Sequence, residues 1–315
     1  MVVIAVGAGA AFGVVARPAP PSVEPSATPA PTATPVPDTG PLVFKQPLTA
    51  GCATDDAVWV VSDGGGIGRF DRFGQRWELI DSTLRSLVAA ACGTDSVTAV
   101  GAFGRVVNID DLAKTIHADD VGLFNAYALA LLPDGALVVG SEGTVQRQTA
   151  SGWDPYAAGI GEDLYGVAAF AGSSAWIVGA GGVTYRLESA GWRQYETGTT
   201  ASLRTIAAAS PTEAIAAGDD GVLLRFDGRW RPLESGVKNE LRASARVGPI
   251  TYVVGDRGTV LAVEGNTVRP VNITTTCALR SVFVHGDEVW FVGSEGTLAG
   301  VWRQSGDRID RWGTC

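Results

Sequence analysis

The stretch Ala216-Ala-Gly-Asp-Asp-Gly221 is one of seven copies of a single phrase: two apolar residues, a glycine, two free positions and a second glycine. The other copies are VVSDGG at 60–65, AVGAFG at 99–104, VVGSEG at 138–143, IVGAGG at 177–182, VVGDRG at 253–258 and FVGSEG at 291–296. The second glycines stand 39, 39, 39, 39, 37 and 38 residues apart, from Gly65 to Gly296. Seven matches in register at a near-constant period are an internal repeat, and a repeat of this length outranks any local reading of the chain. The first glycine is replaced once, by Ser62, whereas the second is present in all seven copies. That invariance within the chain predicts a positive backbone φ at the second position, which glycine adopts at little steric cost.

The rest of each unit is equally regular. About 14 to 17 residues before the first glycine position, a Leu or Phe opens an alternating stretch, as at Leu84, Leu164, Leu203 and Leu279. Alternation with period two predicts a strand. The apolar run before the glycine is a second strand, for example 175–178 and 289–292. A third follows the second glycine, as in 221–226, and a turn such as Asp227-Gly228 leads to a fourth near Trp77, Trp153, Trp192 or Trp230. Each unit is therefore a four-stranded antiparallel meander. One such meander leaves a face bare, whereas several packed face to face around an axis bury both faces of each sheet, which is the construction of a β-propeller. The expectation is an all-β fold, a seven-bladed propeller over residues 43–315, with no helix of packing length. The composition agrees, with 41 Gly, 46% hydrophobic and 18% charged residues. The length suffices for one large closed core.

Units reading like Leu203-Arg-Thr-Ile, Ala214-Ile-Ala-Ala-Gly218, Gly221-Val-Leu-Leu-Arg-Phe226 and Asp227-Gly228-Arg-Trp230 resemble the bacterial propeller repeats of the BNR/Asp-box and Ycf48-like (photosynthesis assembly factor) group. The resemblance covers all seven blades and rests on scaffold residues, so it implies fold and says little of function. The Asp-box turn, Ser-x-Asp-x-Gly-x-Thr-Trp, survives only as remnants at Asp71–Trp77 and Ser189–Trp192.

The first 42 residues are a different kind of polymer. Residues 1–16 are apolar and uncharged, and the tract 17–42 is rich in Pro, Thr and Ala with almost nothing to bury. The tract reads as a disordered linker; an extended Pro-rich chain of this length reaches on the order of 70 Å. The apolar segment is shorter than the roughly 20 residues of a spanning helix and lacks the basic start of a secretory signal. It reads as an anchor-like segment, the remainder of which would precede Met1; a loosely packed terminal extension is the plainer alternative. The anchor reading places the propeller in the cell envelope, outside the cytoplasmic membrane.

Four cysteines fit that placement. Cys52 and Cys92 lie at the far ends of the first strands of consecutive blades, and Cys277 and Cys315 stand at the start of the last blade and at the chain terminus. Pairing within each set would tie neighbouring blades and fasten the closing one; Cys52 to Cys315 is a rival clasp, and four free buried thiols are the alternative to both. None has metal-ligand spacing.

Residues for chemistry are few. His117 and His285 fall in different blades, and although His117 with Asp119 and Asp120 could hold a cation, the alternation there favours a solvated outer strand. No nucleophile set, metal site or cofactor motif is legible. A recurrent arginine is more informative: Arg85, Arg204, Arg242 and Arg280 each follow the Leu that opens a first strand, and Tyr165 and Asn125 take that place in blades four and three. These residues are expected on one rim beside the axial channel, among the hairpin acids Asp63, Glu142, Asp219, Asp220, Asp256 and Glu295. Inter-blade ion pairs that order the rim are the structural reading; an anion or acidic-peptide platform is the functional one. A second series, Arg69, Arg147, Arg186 and Arg225, falls on third strands and reads as scaffold. Sialidases also grip a carboxylate with arginines, but beyond Glu162, Asp163 and Tyr165 nothing supports that comparison. The net charge of −9 argues against nucleic acid or an anionic membrane surface as partner. The expected function is a stalk-tethered, monomeric interaction propeller whose partner is another protein or an acidic ligand, with the membrane reached through the N-terminal segment. A sensory ectodomain and a glycan-binding or glycan-hydrolysing propeller are the alternatives.

Overall fold

The computed structural model describes residue 44 and residues 46–81, 84–111, 115–156, 159–170, 174–313 and 315; the apolar segment and the Pro-rich tract expected at 1–42 lie outside them. The described chain forms seven antiparallel sheets, each of four consecutive strands paired in sequence order. The blades span 48–81, 87–120, 126–155, 164–194, 203–232, 241–270 and 278–313. The first strand of every blade lines a common axial channel, through residues such as Ala50, Ala89, Ala128, Gly166, Thr205, Ala243 and Ser281. This is the seven-bladed propeller that the repeat predicts. Among the described residues, no helix is long and apolar enough to cross a membrane.

The glycine phrase does what its invariance demands. All seven second glycines have positive φ, between 59° and 77°. In six blades a Cβ there would also meet a main-chain carbonyl oxygen in the link to the following blade, at 1.8 Å from Leu84 O for Gly65 and 2.2 Å from Thr199 O for Gly182. In the last blade a Cβ on Gly296 would meet nothing within 4 Å. The first glycine is extended but equally crowded; a Cβ on Gly218 would stand 1.9 Å from Ser202 O. The phrase thus brings the hairpin between second and third strands against the neighbouring chain.

Blades adhere through the second-strand tryptophans. Trp59, Trp176 and Trp290 are buried, and each packs into the blade that follows: Trp59 among Leu87, Val97, Val107 and Ile109, Trp176 among Leu203, Phe226 and Trp230, and Trp290 among Leu48, Val58 and Phe70. Opposite each tryptophan in the register stands a third-strand arginine, Arg69, Arg186 or Arg303, with its guanidinium 5.4–5.7 Å from the ring centroid. The third-strand arginines at these positions are accordingly packing elements, capping apolar faces while their ends stay polar. Arg303 escapes a fixed seven-residue spacing because the hairpin of the last blade is longer, its strands running to Glu295 and from Leu298.

Among the described residues no strand is exchanged where the ring closes, since blades one and seven are each built from consecutive strands. Side chains close it, with Phe70, Trp290, Trp312, Phe283 and Leu48 in one apolar cluster. Disulfides Cys52–Cys92 and Cys277–Cys315 reinforce the fold, with Cα separations of 5.5 and 6.0 Å. The first joins the inner strands of blades one and two; the second ties the end of the chain to the start of blade seven. The rival Cys52–Cys315 pairing does not form, and no free thiol remains.

Candidate functional site

Every first strand carries a β-bulge near its start. Leu48 pairs with Ser62 and Ala50 with Val61, so Thr49 is skipped; the same happens at Val88, Tyr127, Tyr165, Arg204, Arg242 and Arg280. A bulge re-aims a side chain out of the sheet pattern. Here the seven bulged residues converge on the mouth of the axial channel, where all of them line a cavity of about 390 Å³ together with Pro47, Asp63 and Glu240.

This register corrects two placements. Arg85 is not in the ring: Leu87, not Leu84, pairs with the first glycine of blade two, Gly101, and Val88 is the bulged residue. Arg85 lies three residues earlier, half-exposed in the link between blades, 3.6 Å from Asp120 and over the Phe103 ring at 5.8 Å. Asn125 likewise precedes the ring position of blade three, which Tyr127 holds. Asn125 instead accepts from the Phe103 amide. Arg204, Arg242, Arg280 and Tyr165 sit where expected. The openers that lead the strands in register lie 14 or 15 residues before the first glycine position, and counting that distance, rather than seeking Leu-Arg, finds Tyr127, Val88 and Thr49.

The ring is lopsided. On blades three to five its members stack on one another: Tyr127 and Tyr165 have centroids 5.4 Å apart, and the Arg204 guanidinium lies 4.4 Å from the Tyr165 centroid. Arg204 donates to both oxygens of Asp219, at 2.8 and 3.1 Å, and Arg242 donates likewise to Asp256 at 2.7 and 3.1 Å. Glu240 lies 3.5 Å from Arg204 and 3.1 Å from Arg242 and bridges the two blades. The hydrogen bond to Asp219, outweighing burial, raises the pKa of Arg204 with help from the charges of Asp219 and Glu240. Burial opposes the charge on Arg242, yet the Asp256 hydrogen bond and the charges of Glu240 and Asp256 together prevail and raise its pKa. Burial first, and then the charge of Asp163, push the Tyr127 phenol above its ordinary value. These two arginines are therefore charge-satisfied by their own rim.

Arg280 is different. Its blade has Ser294 where Asp219 and Asp256 stand in blades five and six, and its Nε donates to the Ser294 hydroxyl at 3.3 Å. Among the described residues no carboxylate lies within ion-pair distance of it, and it is exposed. It is the ring guanidinium open to an external anion.

Other sequence candidates fall elsewhere. His117 is on the exposed outer strand 115–120 of blade two, and His285 contacts Asp55 at 3.1 Å on the opposite rim. Among the described residues no group of three or more His, Cys, Asp and Glu is arranged to hold a metal ion. Glu162 and Asp163 precede the first strand of blade four, where Asp163 accepts from the Glu142 amide at 2.9 Å.

No protein-family model matches the sequence, and no curated protein does. Solved structures match at the level of fold. The WD40 β-propeller domain of Doa1 superposes with a TM-score of 0.71 at 13% identity, over 85% of this chain and 96% of that one. The RRP9 WD40 repeats give 0.71 at 11%, over 80% and 89%. A structure of YCF48 bound to D1 peptide gives 0.64 at 14%, over 80% and 92%. Identities this low carry the architecture alone, and the chain is similar to these proteins as a seven-bladed β-propeller.

Proposed function

We propose that this protein is an extracytoplasmic propeller, tethered by its N-terminal tract, that binds another protein through the hairpin rim and performs no catalysis. The observation that carries the reading is the convergence of seven bulged side chains on one mouth, where two tyrosines and three arginines form an asymmetric, chemically specific surface. Tyr and Arg are the residue types that supply most of the energy in protein interfaces. Arg280 offers a planar fork to an acidic side chain or a carboxyl terminus of the partner. YCF48, of the same fold, was solved with a bound peptide, which supports a peptide or protein ligand for a propeller of this shape. Two disulfides support an oxidising compartment, and the apolar segment 1–16 followed by the Pro-rich tract 17–42 supports an anchor and a tether. With the mixed acidic and basic character of the rim, nucleic acid is not the partner we assign.

The test is affinity capture from native membranes with the full chain and two variants of it. Arg280→Glu combined with Tyr165→Ala should abolish capture of a partner, while Arg85→Glu, outside the ring, should leave it intact, both variants retaining the wild-type circular dichroism. Capture that survives the ring variant, or that is lost equally with Arg85→Glu, would overturn the assignment of the site.

A further inference from the structure

Blades five and six repeat one device: a bulged arginine on the first strand and an aspartate directly after the first glycine, held together as Arg204–Asp219 and Arg242–Asp256. The device is broken in complementary ways on either side of the ring closure. Blade seven keeps the arginine, Arg280, and has Ser294 in place of the aspartate. Blade one keeps the aspartate, Asp63, and has Thr49 in place of the arginine. Asp63 accepts a hydrogen bond from Ser86 Oγ at 2.6 Å, and among the described residues no Lys, Arg or His nitrogen comes within ion-pair distance of it. Arg280 and Asp63 line the same cavity of about 390 Å³ and make no ion pair with each other.

That cavity thus holds one unmatched cation and one unmatched anion on adjacent blades. Its remaining charges, Arg204, Arg242 and Glu240, are already paired with one another and with Asp219 and Asp256. We infer that the channel mouth binds a small zwitterion of the amino-acid class, its carboxylate on Arg280 and its protonated amine on Asp63. Charge-assisted hydrogen bonds at the two ends fix the orientation of such a ligand. Pro47, Val88 and the tyrosines Tyr127 and Tyr165, which line the same cavity, supply the apolar surface for its side chain. The volume lies near the lower end for small-molecule sites, which suits a free amino acid or a dipeptide. The inference rests on the mouth being a binding site, as proposed above, and adds a ligand that a protein partner would find at the centre of the rim.

Isothermal titration calorimetry of the full chain with glycine, L-leucine, L-phenylalanine and leucyl-leucine tests it, each compared with its N-acetyl and C-terminal amide forms. At least one zwitterion should bind, and masking either end should weaken it about tenfold or more, the size of one charge-assisted contact. Arg280→Gln and Asp63→Asn should each weaken the free ligand by a similar factor. Asp63→Asn should leave the affinity for the N-acetyl form unchanged, a readout that a merely unfolded variant would not give. No heat from any free form up to 10 mM (about the weakest affinity worth a specific site) would overturn the inference, as would an N-acetyl form that binds as well as its parent. Capture of a protein partner is read separately on the wild-type chain and on the Arg280→Glu, Tyr165→Ala variant, so a failed titration with capture that still depends on those ring residues removes the zwitterion and spares the interaction rim.

Discussion

Arg72 Nη2 donates to Glu288 Oε2 at 2.9 Å, joining residues 216 positions apart and tying the first blade to the last. Glu288 also accepts from the Trp290 indole and from Arg303, so the ion pair and the aromatic cluster at the closure are one assembly. With no strand exchanged among the described residues, the ring is held here by side chains rather than by a main-chain ladder.

The apolar part of that assembly should dominate. Trp290→Ala removes a fully buried ring that touches Phe70, Phe283 and Trp312, and the expected loss is about 3–5 kcal/mol. Arg72→Ala leaves Glu288 its other donors, so its loss should be about 1 kcal/mol. Urea unfolding of both variants checks the ordering; a larger loss for Arg72→Ala would mean that the charge network, not the aromatic packing, closes the ring.

The two disulfides enclose loops of similar length, with sequence separations of 40 and 38. In the chain-entropy model each removal, Cys52→Ser with Cys92→Ser or Cys277→Ser with Cys315→Ser, lowers stability by about 4 kcal/mol. Peptide mapping without reduction should recover these two linkages. A Cys52–Cys315 peptide in that map would contradict the arrangement of the closing blade.

The fold was legible because its constraints fall on residue type. Seven second glycines in left-handed conformation, six of them crowded by a neighbouring carbonyl, leave a repeated mark in the sequence. The bulge that builds the ring demands no residue type, and its seven occupants range from Thr49 to Arg280. Leu84-Arg85 therefore imitates the Leu203-Arg204 opener while sitting three residues too early, and Tyr127 carries no mark at all. The pairing of rim arginines with hairpin acids was readable, because Asp219 and Asp256 recur at one place in the phrase. Glu240 was not, since the equivalent residues before the other openers are Pro47, Ser86, Asn125, Asp163, Ser202 and Ala278. A bridge that occurs once cannot be found by periodicity.

One carboxylate outside the site should report on acid stability. A hydrogen bond from Tyr195 at 2.7 Å, then one from Arg186, hold Glu188 below the ordinary glutamate value. A depressed native pKa means that the contribution is complete above the unfolded value and is lost as pH falls through the native one. Carboxyl carbon NMR should show Glu188 titrating below the ordinary glutamate value, and the stability of Glu188→Gln should fall less steeply on acidification than that of the wild type. Titration of Glu188 at or above the ordinary value would refute the assignment.

Finally, the repeat allows strain in the backbone to be separated from crowding. Gly221 and Gly296 occupy the same place in the phrase, with φ of 72° and 59°, but a Cβ on Gly221 would stand 2.1 Å from Val237 O whereas one on Gly296 would meet nothing within 4 Å. Alanine at Gly296 should therefore cost only the left-handed conformation, about 1–2 kcal/mol. At Gly221 it must also displace the link that leads into blade six, which adds about 1–3 kcal/mol. Equal losses in thermal or urea unfolding would show that the hairpin glycines are selected for φ alone; a loss confined to Gly221→Ala would show that close approach of the next blade is what fixes them. The expected result is a loss at both positions, larger at Gly221, because five of the seven hairpins also hold the residue just before the second glycine in the left-handed region, four of them with a side chain, Phe103, Glu142, Asp220 and Arg257. The hairpin thus tolerates a Cβ at positive φ where space allows, and what it cannot tolerate is a Cβ driven into the neighbouring main chain.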